Sequence, residues 1–271
     1  MWFAFWTIPL CTLSSGWVAA TAQATEVRQQ ELKSNQSSKR NTGSAQILTG
    51  HTVLLNVFVS DIESDWSDAQ KQSILGNMEQ SLRFLSACAE PYQMDVRFEQ
   101  HNLGSATMPN RVPSDPFANP AWTERAIQLA VGQDAMTLVR EWSRKHNADN
   151  VVLCLHVNKP SQSYNLAHYA NVEDCYRAER TVCFGRYPDG RATAAATYAH
   201  EILHLFGAGD LYFPYDTSST RRRMANQLFP NDIMLRVDYD LAGLNVGPFT
   251  AFRVGWSREL HADHRLFEDR D

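Results

Sequence analysis

The sequence has no block of like charge and no basic excess: 25 Lys and Arg stand against 30 Asp and Glu, a formal net charge of −5 with a pI near 6.0. Such a chain carries no electropositive field to gather polyanions, so nucleic acid is excluded as an expected partner. Only 5 cysteines, 13 glycines and 11 prolines occur among 271 residues, too few for a disulfide-built scaffold or a collagen-like or low-complexity chain. Internal repeats are also lacking. What remains, 44% hydrophobic and 20% charged, is the usage of one globular domain. A domain of this length removes roughly three quarters of its extended-chain surface from water, enough for a core with a pocket beside it.

Absences also mark the N-terminus. Residues 1–24 contain no Asp, Glu, Lys or Arg, and their apolar run is followed by Ala20-Thr21-Ala22 and Ala22-Gln23-Ala24, small-residue sites of the signal-peptidase pattern. This predicts a signal peptide over 1–24 and a secreted or periplasmic protein with no stable membrane insertion after cleavage. The lack of a basic n-region keeps an uncleaved anchor as the alternative. Cys11 has no lipoprotein cleavage box before it. Residues 25–50 hold no aromatic and no cysteine, which predicts a flexible polar tether without a cysteine to cap a metal. The folded domain is then 51–271, expected to be a monomer.

Four cysteines follow the signal segment. Parity and an oxidising compartment predict a Cys175–Cys183 bridge across a polar stretch. Cys88 and Cys154 form either a second bridge or two small buried hydrophobes.

Thr52–Asp61 alternates β-branched and aromatic residues, a core strand. Ser67 with Gln70 makes a capping box, and Ile74, Met78, Leu82 and Leu85 recur at one-turn spacing until Pro91. Met94–Leu103 is a second strand. After a Pro-rich loop, Asn119 and Pro120 open one helix with Ile127, Val131, Leu138 and Trp142 on its buried stripe. Val151–Val157 is a third strand, apolar apart from His156. Strand, helix, strand, helix, strand is the order of an α/β (α+β) fold with helices packed on a mixed twisted sheet. Leu244–Trp256 predicts a closing helix, and the strand near Thr181–Gly185 is the expected sheet edge.

The chemistry lies in Ala194–Gly207, an Ala-rich helix apolar nearly all round and so expected to be buried. His200 and His204 are four apart and project from one face, where a single ion can bridge them. Glu201, beside His200, can lean over a metal-bound water as general base without ligating. Gly207 can end the helix in a left-handed cap and turn the chain so that Asp210 supplies a third ligand, leaving a fourth position for water. An H-E-x-x-H match in a chain with 9 His arises by accident in roughly one or two per cent of such sequences. The bland alternative is a core histidine pair satisfied by backbone carbonyls.

The stretch HEILHLFGAGD resembles the extended zinc signature of the metzincin metallopeptidases, in the variant with Asp as third ligand found in the snapalysin family. Asn231-Asp232-Ile233-Met234 resembles the metzincin Met-turn. The resemblance covers roughly Thr193–Met234. It implies one catalytic Zn2+ on His200, His204 and Asp210, Glu201 as base, Met234 as the floor beneath the metal, and a smaller C-terminal subdomain. Many family members place a tyrosine two residues after that methionine; here the position is Arg236, and Tyr239 is the nearest substitute as transition-state stabiliser.

These expectations describe a zinc endopeptidase acting on peptide or protein. Two other classes stay open: a zinc hydrolase of a non-peptide substrate, and a binding protein with a structural metal. Arg221, Arg222 and Arg223 are read as a solvated loop, His261 and His264 as a solvated tail, and His156 and His168 as structural.

Overall fold

The computed structural model describes residues 43–115, 118–167, 177–212, 219–236 and 240–267. Five strands form one sheet: β1 (Gly50–Ser60), β2 (Val96–Thr107), β3 (Asn150–Pro160), β4 (Tyr164–Leu166) and β5 (Arg180–Arg186). Their order is β2-β1-β3-β5-β4. The first four are parallel and β4 runs antiparallel to β5. Central strands of such a sheet are covered on both faces, which is why β1 and β3 are buried almost end to end.

The helices are α1 (Asp68–Ala89), α2 (Ala121–Val131), α3 (Ala135–His146), α4 (Ala195–Leu205), α5 (Ser219–Leu228) and α6 (Pro248–Val254). Short 3-10 segments follow α1 and α6 at Glu90–Tyr92 and Ala262–Phe267. The α1 capping box is formed in both directions: Ser67 Oγ accepts from Gln70 N–H at 3.3 Å and Gln70 Oε1 from Ser67 N–H at 2.9 Å. Ile74, Met78, Leu82 and Leu85 are all buried.

The sheet separates two cores. On one face Leu54, Phe58, Val152, Cys154 and Cys183 pack with α1 and α4; on the other Val53, Leu55, Leu153 and Val182 pack with Ile127 of α2 and Leu138 of α3. Among the described residues no helix is long and apolar enough to cross a membrane.

Several expectations require correction. The single helix after the Pro-rich loop is two, because Gly132 takes φ 77 at the end of α2 and Asp134 caps α3 through Thr137 N–H. Thr181–Gly185 is not the sheet edge: β5 lies between β3 and β4. The predicted bridge is not formed at Cys183, which is free and buried within β5, as Cys88 and Cys154 are also free. Cys175 lies outside the described residues, as do His168, Tyr239 and 1–42. Ahead of His51, Ala45, Ile47 and Leu48 are buried, and Ala45 N–H donates to Glu179 at 2.6 Å. Arg221–Arg223 lie on α5 rather than in a loop. His264 packs edge-on against Phe229 with ring centroids 4.8 Å apart, so this part of the tail is folded back.

Candidate metal centre

Helix α4 is buried on almost every side, as its Ala-rich sequence requires. Its N-terminal end is tied to α1: Ser81 Oγ donates to Ala195 O at 2.6 Å and Asn77 Nδ2 to Thr193 O at 3.1 Å. Its other end closes in a Schellman arrangement. Ala208 N–H bonds to Leu203 O at 3.1 Å and Gly207 N–H to His204 O at 2.9 Å, with Gly207 at φ 92. That left-handed residue, awkward for any side chain, turns the chain back toward the helix.

The turn brings Asp210 onto the histidine pair. Asp210 Oδ1 lies 3.1 Å from His200 Nε2 and 3.2 Å from His204 Nε2, and the two Nε2 atoms are 3.0 Å apart. Each imidazole has its other nitrogen on a backbone carbonyl: His204 Nδ1 donates to Ala208 O at 2.8 Å, His200 Nδ1 to Ile233 O at 3.1 Å. With those protons on Nδ1, both neutral rings turn lone pairs toward a carboxylate oxygen. Three such atoms converging this closely share either a proton on an imidazole Nε2 or a cation among them. Ligands around a tetrahedral ion with bonds of about 2.0–2.1 Å stand about 3.3 Å apart, so the donor set fits a divalent metal closely. Two imidazoles and one carboxylate leave a coordination position open.

The charges are strongly coupled. Burial alone would lower the His204 pKa, but the Asp210 hydrogen bond and Glu201 reverse this and lift it to about 9. Asp210 is desolvated too, yet its bonds to both imidazoles hold it well below the usual carboxylate range. Burial raises Glu201, against the opposing pull of His200 and His204.

The 232–236 turn supports the site through Ile233 O, the acceptor for His200 Nδ1. Asp232 O accepts from Leu235 N–H at 2.9 Å and Arg236 N–H at 3.0 Å, and Met234 is fully buried. The carboxylate of Asp232, itself buried, receives Met234 N–H (2.8 Å), Gly247 N–H (3.0 Å) and Thr250 Oγ1–H (2.7 Å). It thus clamps the turn carrying Ile233 O to the start of α6. An added Cβ at residue 247 would stand 2.6 Å from Asp232 Oδ2, so glycine is what lets the two segments meet. Burial pushes the Asp232 pKa up to about 6 despite those donors.

Two neighbours escaped the sequence reading. Asn165, on edge strand β4 opposite Thr181, donates through Nδ2 to Glu201 Oε2. A three-residue strand offers too little periodicity to reveal it. Tyr212, two residues past Asp210, brings its ring centroid to 6.1 Å from that of His200. A cavity of about 290 Å³ opens beside Glu201, lined in part by Ser163, Tyr187, Thr197, Tyr212 and Arg236.

No family model matches the sequence, and no curated protein matches it. Among solved structures, metalloproteinase-II from Bacteroides fragilis aligns at TM-score 0.37 and 11% identity, over 79% of this chain and 57% of that one. A chaperone-substrate complex aligns at TM-score 0.31 and 16% identity, over 60% of this chain and 25% of that one. The chain thus spans little more than half the length of the first of these structures and a quarter of the second.

Proposed function

We propose that this protein is an exported zinc endopeptidase of the metzincin type with Asp as third ligand. The observation that carries the reading is the convergence of His200 Nε2, His204 Nε2 and Asp210 Oδ1 within 3.0–3.2 Å, with both Nδ1 atoms already engaged.

His200, His204 and Asp210 would hold a zinc ion, which would supply Lewis acidity toward the substrate carbonyl and lower the pKa of a bound water toward about 7. Glu201 accepts the water's proton at its carboxylate as the water attacks, then delivers that proton to the leaving amine. Asn165 holds one Glu201 oxygen, leaving the other turned to this task. The outer edge of β4 offers backbone groups to an extended peptide, which would lay its scissile bond beside the cavity at Glu201. Since β4 is the sheet's terminal strand and carries Asn165, strand addition there links substrate binding to the base. The fold also suits the resemblance noted in the sequence: a mixed sheet with one antiparallel edge strand next to the metal helix.

The reading is tested by assaying casein-type proteolysis with and without chelator, together with metal analysis. One zinc per His200/His204/Asp210 centre and chelator-sensitive cleavage are expected. Zinc at the site with no cleavage of any unfolded protein substrate transfers the same machinery to a non-peptide substrate.

A further inference from the structure

A second group of ligand-type side chains lies on the opposite face of the sheet, at its β2 edge. Glu99 and His101 are two apart on β2 and share the face that packs against α2 and α3, and His146 is the last residue of α3. His51 joins them from the start of β1, whose register places it beside Arg97. All three imidazoles reach the same carboxylate. Glu99 Oε1 is 2.8 Å from His101 Nε2; Oε2 is 2.9 Å from His146 Nδ1 and 3.2 Å from His51 Nε2.

The rings are held in place by Trp142. Its ring stacks on His146 at 4.7 Å with an interplanar angle of 7° and meets His101 at 4.6 Å. The other nitrogen of His146, Nε2, is buried with no hydrogen-bond partner among the described residues. His146 thus enters the cluster through Nδ1, with Nε2 on the far side of its ring. Donor atoms of Glu99, His101 and His146 all lie within 4.8 Å of one another.

We propose that Glu99, His101 and His146 form a second metal site for a zinc-class divalent cation, with His51 Nε2 holding Glu99 Oε2 from the start of β1. Imidazoles with one carboxylate select zinc, copper or nickel over calcium and magnesium, which require more oxygen ligands. Glu99, His101 and His146 supply three donors, and water would complete the shell. The ion would join the edge strand β2 to the C-terminal end of α3, with β1 tied in through His51 on Glu99. Simple hydrogen bonding explains the cluster less well, since exposed charge pairs contribute little against the entropy of ordering several side chains.

This inference does not depend on peptidase activity, and its test keeps the two apart. Purified protein is equilibrated with zinc and its metal content measured alongside thermal unfolding. The expected result is two ions per chain, one in His200→Ala/His204→Ala, and one in His101→Ala/His146→Ala with proteolysis retained. In the His200→Ala/His204→Ala protein, zinc at about a hundred times its Kd should raise Tm by about 5 °C. If His101→Ala/His146→Ala does not fold by circular dichroism, His101→Gln/His146→Gln replaces it. A His200→Ala/His204→Ala protein that binds no zinc and shows no Tm rise overturns the site, as does an unchanged stoichiometry in the His101/His146 variant.

Discussion

Two groups of histidine and carboxylate side chains occupy opposite faces of one sheet, and the fold has committed them to different degrees. At His200, His204 and Asp210 both Nδ1 atoms are fixed by carbonyls from separate segments, and the three donor atoms stand 3.0–3.2 Å apart in a largely buried setting. At Glu99 the carboxylate sits between the imidazoles, its side chain 37% exposed, and each ring meets it through a single nitrogen. Preorganised ligands keep an ion's geometry without spending entropy when it binds. On the two proposals, the first cluster would hold its ion with preorganised, largely buried ligands beside the cavity, and the second would tie β2 to the end of α3.

The largest effect that separates the clusters is removal of the base. Glu201→Gln should lower kcat/KM for proteolysis by about 10²–10⁴ while metal content stays at the wild-type value. Loss of activity accompanied by loss of the ion would instead mark Glu201 as a structural support. The matching change at Glu99, Glu99→Gln, should leave proteolysis within about twofold, because that face has no access to the cavity at Glu201.

The next effect concerns what fixes the rings. Asp232 holds the turn whose Ile233 O orients His200. Asp232→Ala should weaken zinc binding at this centre by about 10–100-fold, read by competition with a chromogenic chelator. An affinity equal to wild type would show that α4 alone sets the imidazoles. A smaller change follows from Asn165→Ala, about tenfold in kcat/KM with zinc retained. Because the Asn165 hydrogen bond stabilises charged Glu201 and lowers its pKa, its removal should move the acid limb of the pH profile to higher pH. A parallel drop at every pH, with no shift of the limb, would assign Asn165 to substrate alignment instead.

The convergence of His200, His204 and Asp210 at helix α4 was readable in the sequence because its signals are local: two histidines one turn apart, a glycine where the helix must end, an aspartate three residues on. The same holds for β1 and for α1, whose cap and stripe lie within a few turns. The break between α2 and α3 was concealed because the stripe through Ile127, Val131, Leu138 and Trp142 continues across it, although Gly132 and Asp134 are themselves stop and start signals. The Cys175–Cys183 pairing rested on parity and compartment, which do not say where Cys183 sits; arginines flank its strand and make the stretch look polar. Arg180 is nevertheless buried, its guanidinium on Glu124 at 3.1 Å, a pairing between distant segments that no local window contains. Asn165 and the His51–Glu99 group depend on strand order for the same reason. Side chains gathered by topology are legible only once the sheet is known.

A third histidine environment sharpens the contrast and gives the smallest effect. His156 sits in the core of the metal face, stacked on Phe58 at 5.0 Å, with Nε2 on Asn56 Oδ1 at 2.8 Å. It has neither converging ligands nor exposure, so burial pushes its pKa down to about 3. An imidazole whose folded pKa lies below its unfolded value near 6.5 binds more protons when unfolded. Its neutral form therefore contributes stability that is complete above pH 6.5 and is lost as pH falls toward 3. Within that window the slope is at most about 1.4 kcal/mol per pH unit, or a few degrees in Tm for a domain of this size. His156→Gln should flatten the fall of Tm between pH 6 and 4 by about that amount, measured on metal-free protein so that ion loss at His200 and His204 does not enter. Equal slopes in the two proteins would mean that His156 can take a proton in place, and that the metal face of the sheet is more open to water than its packing implies.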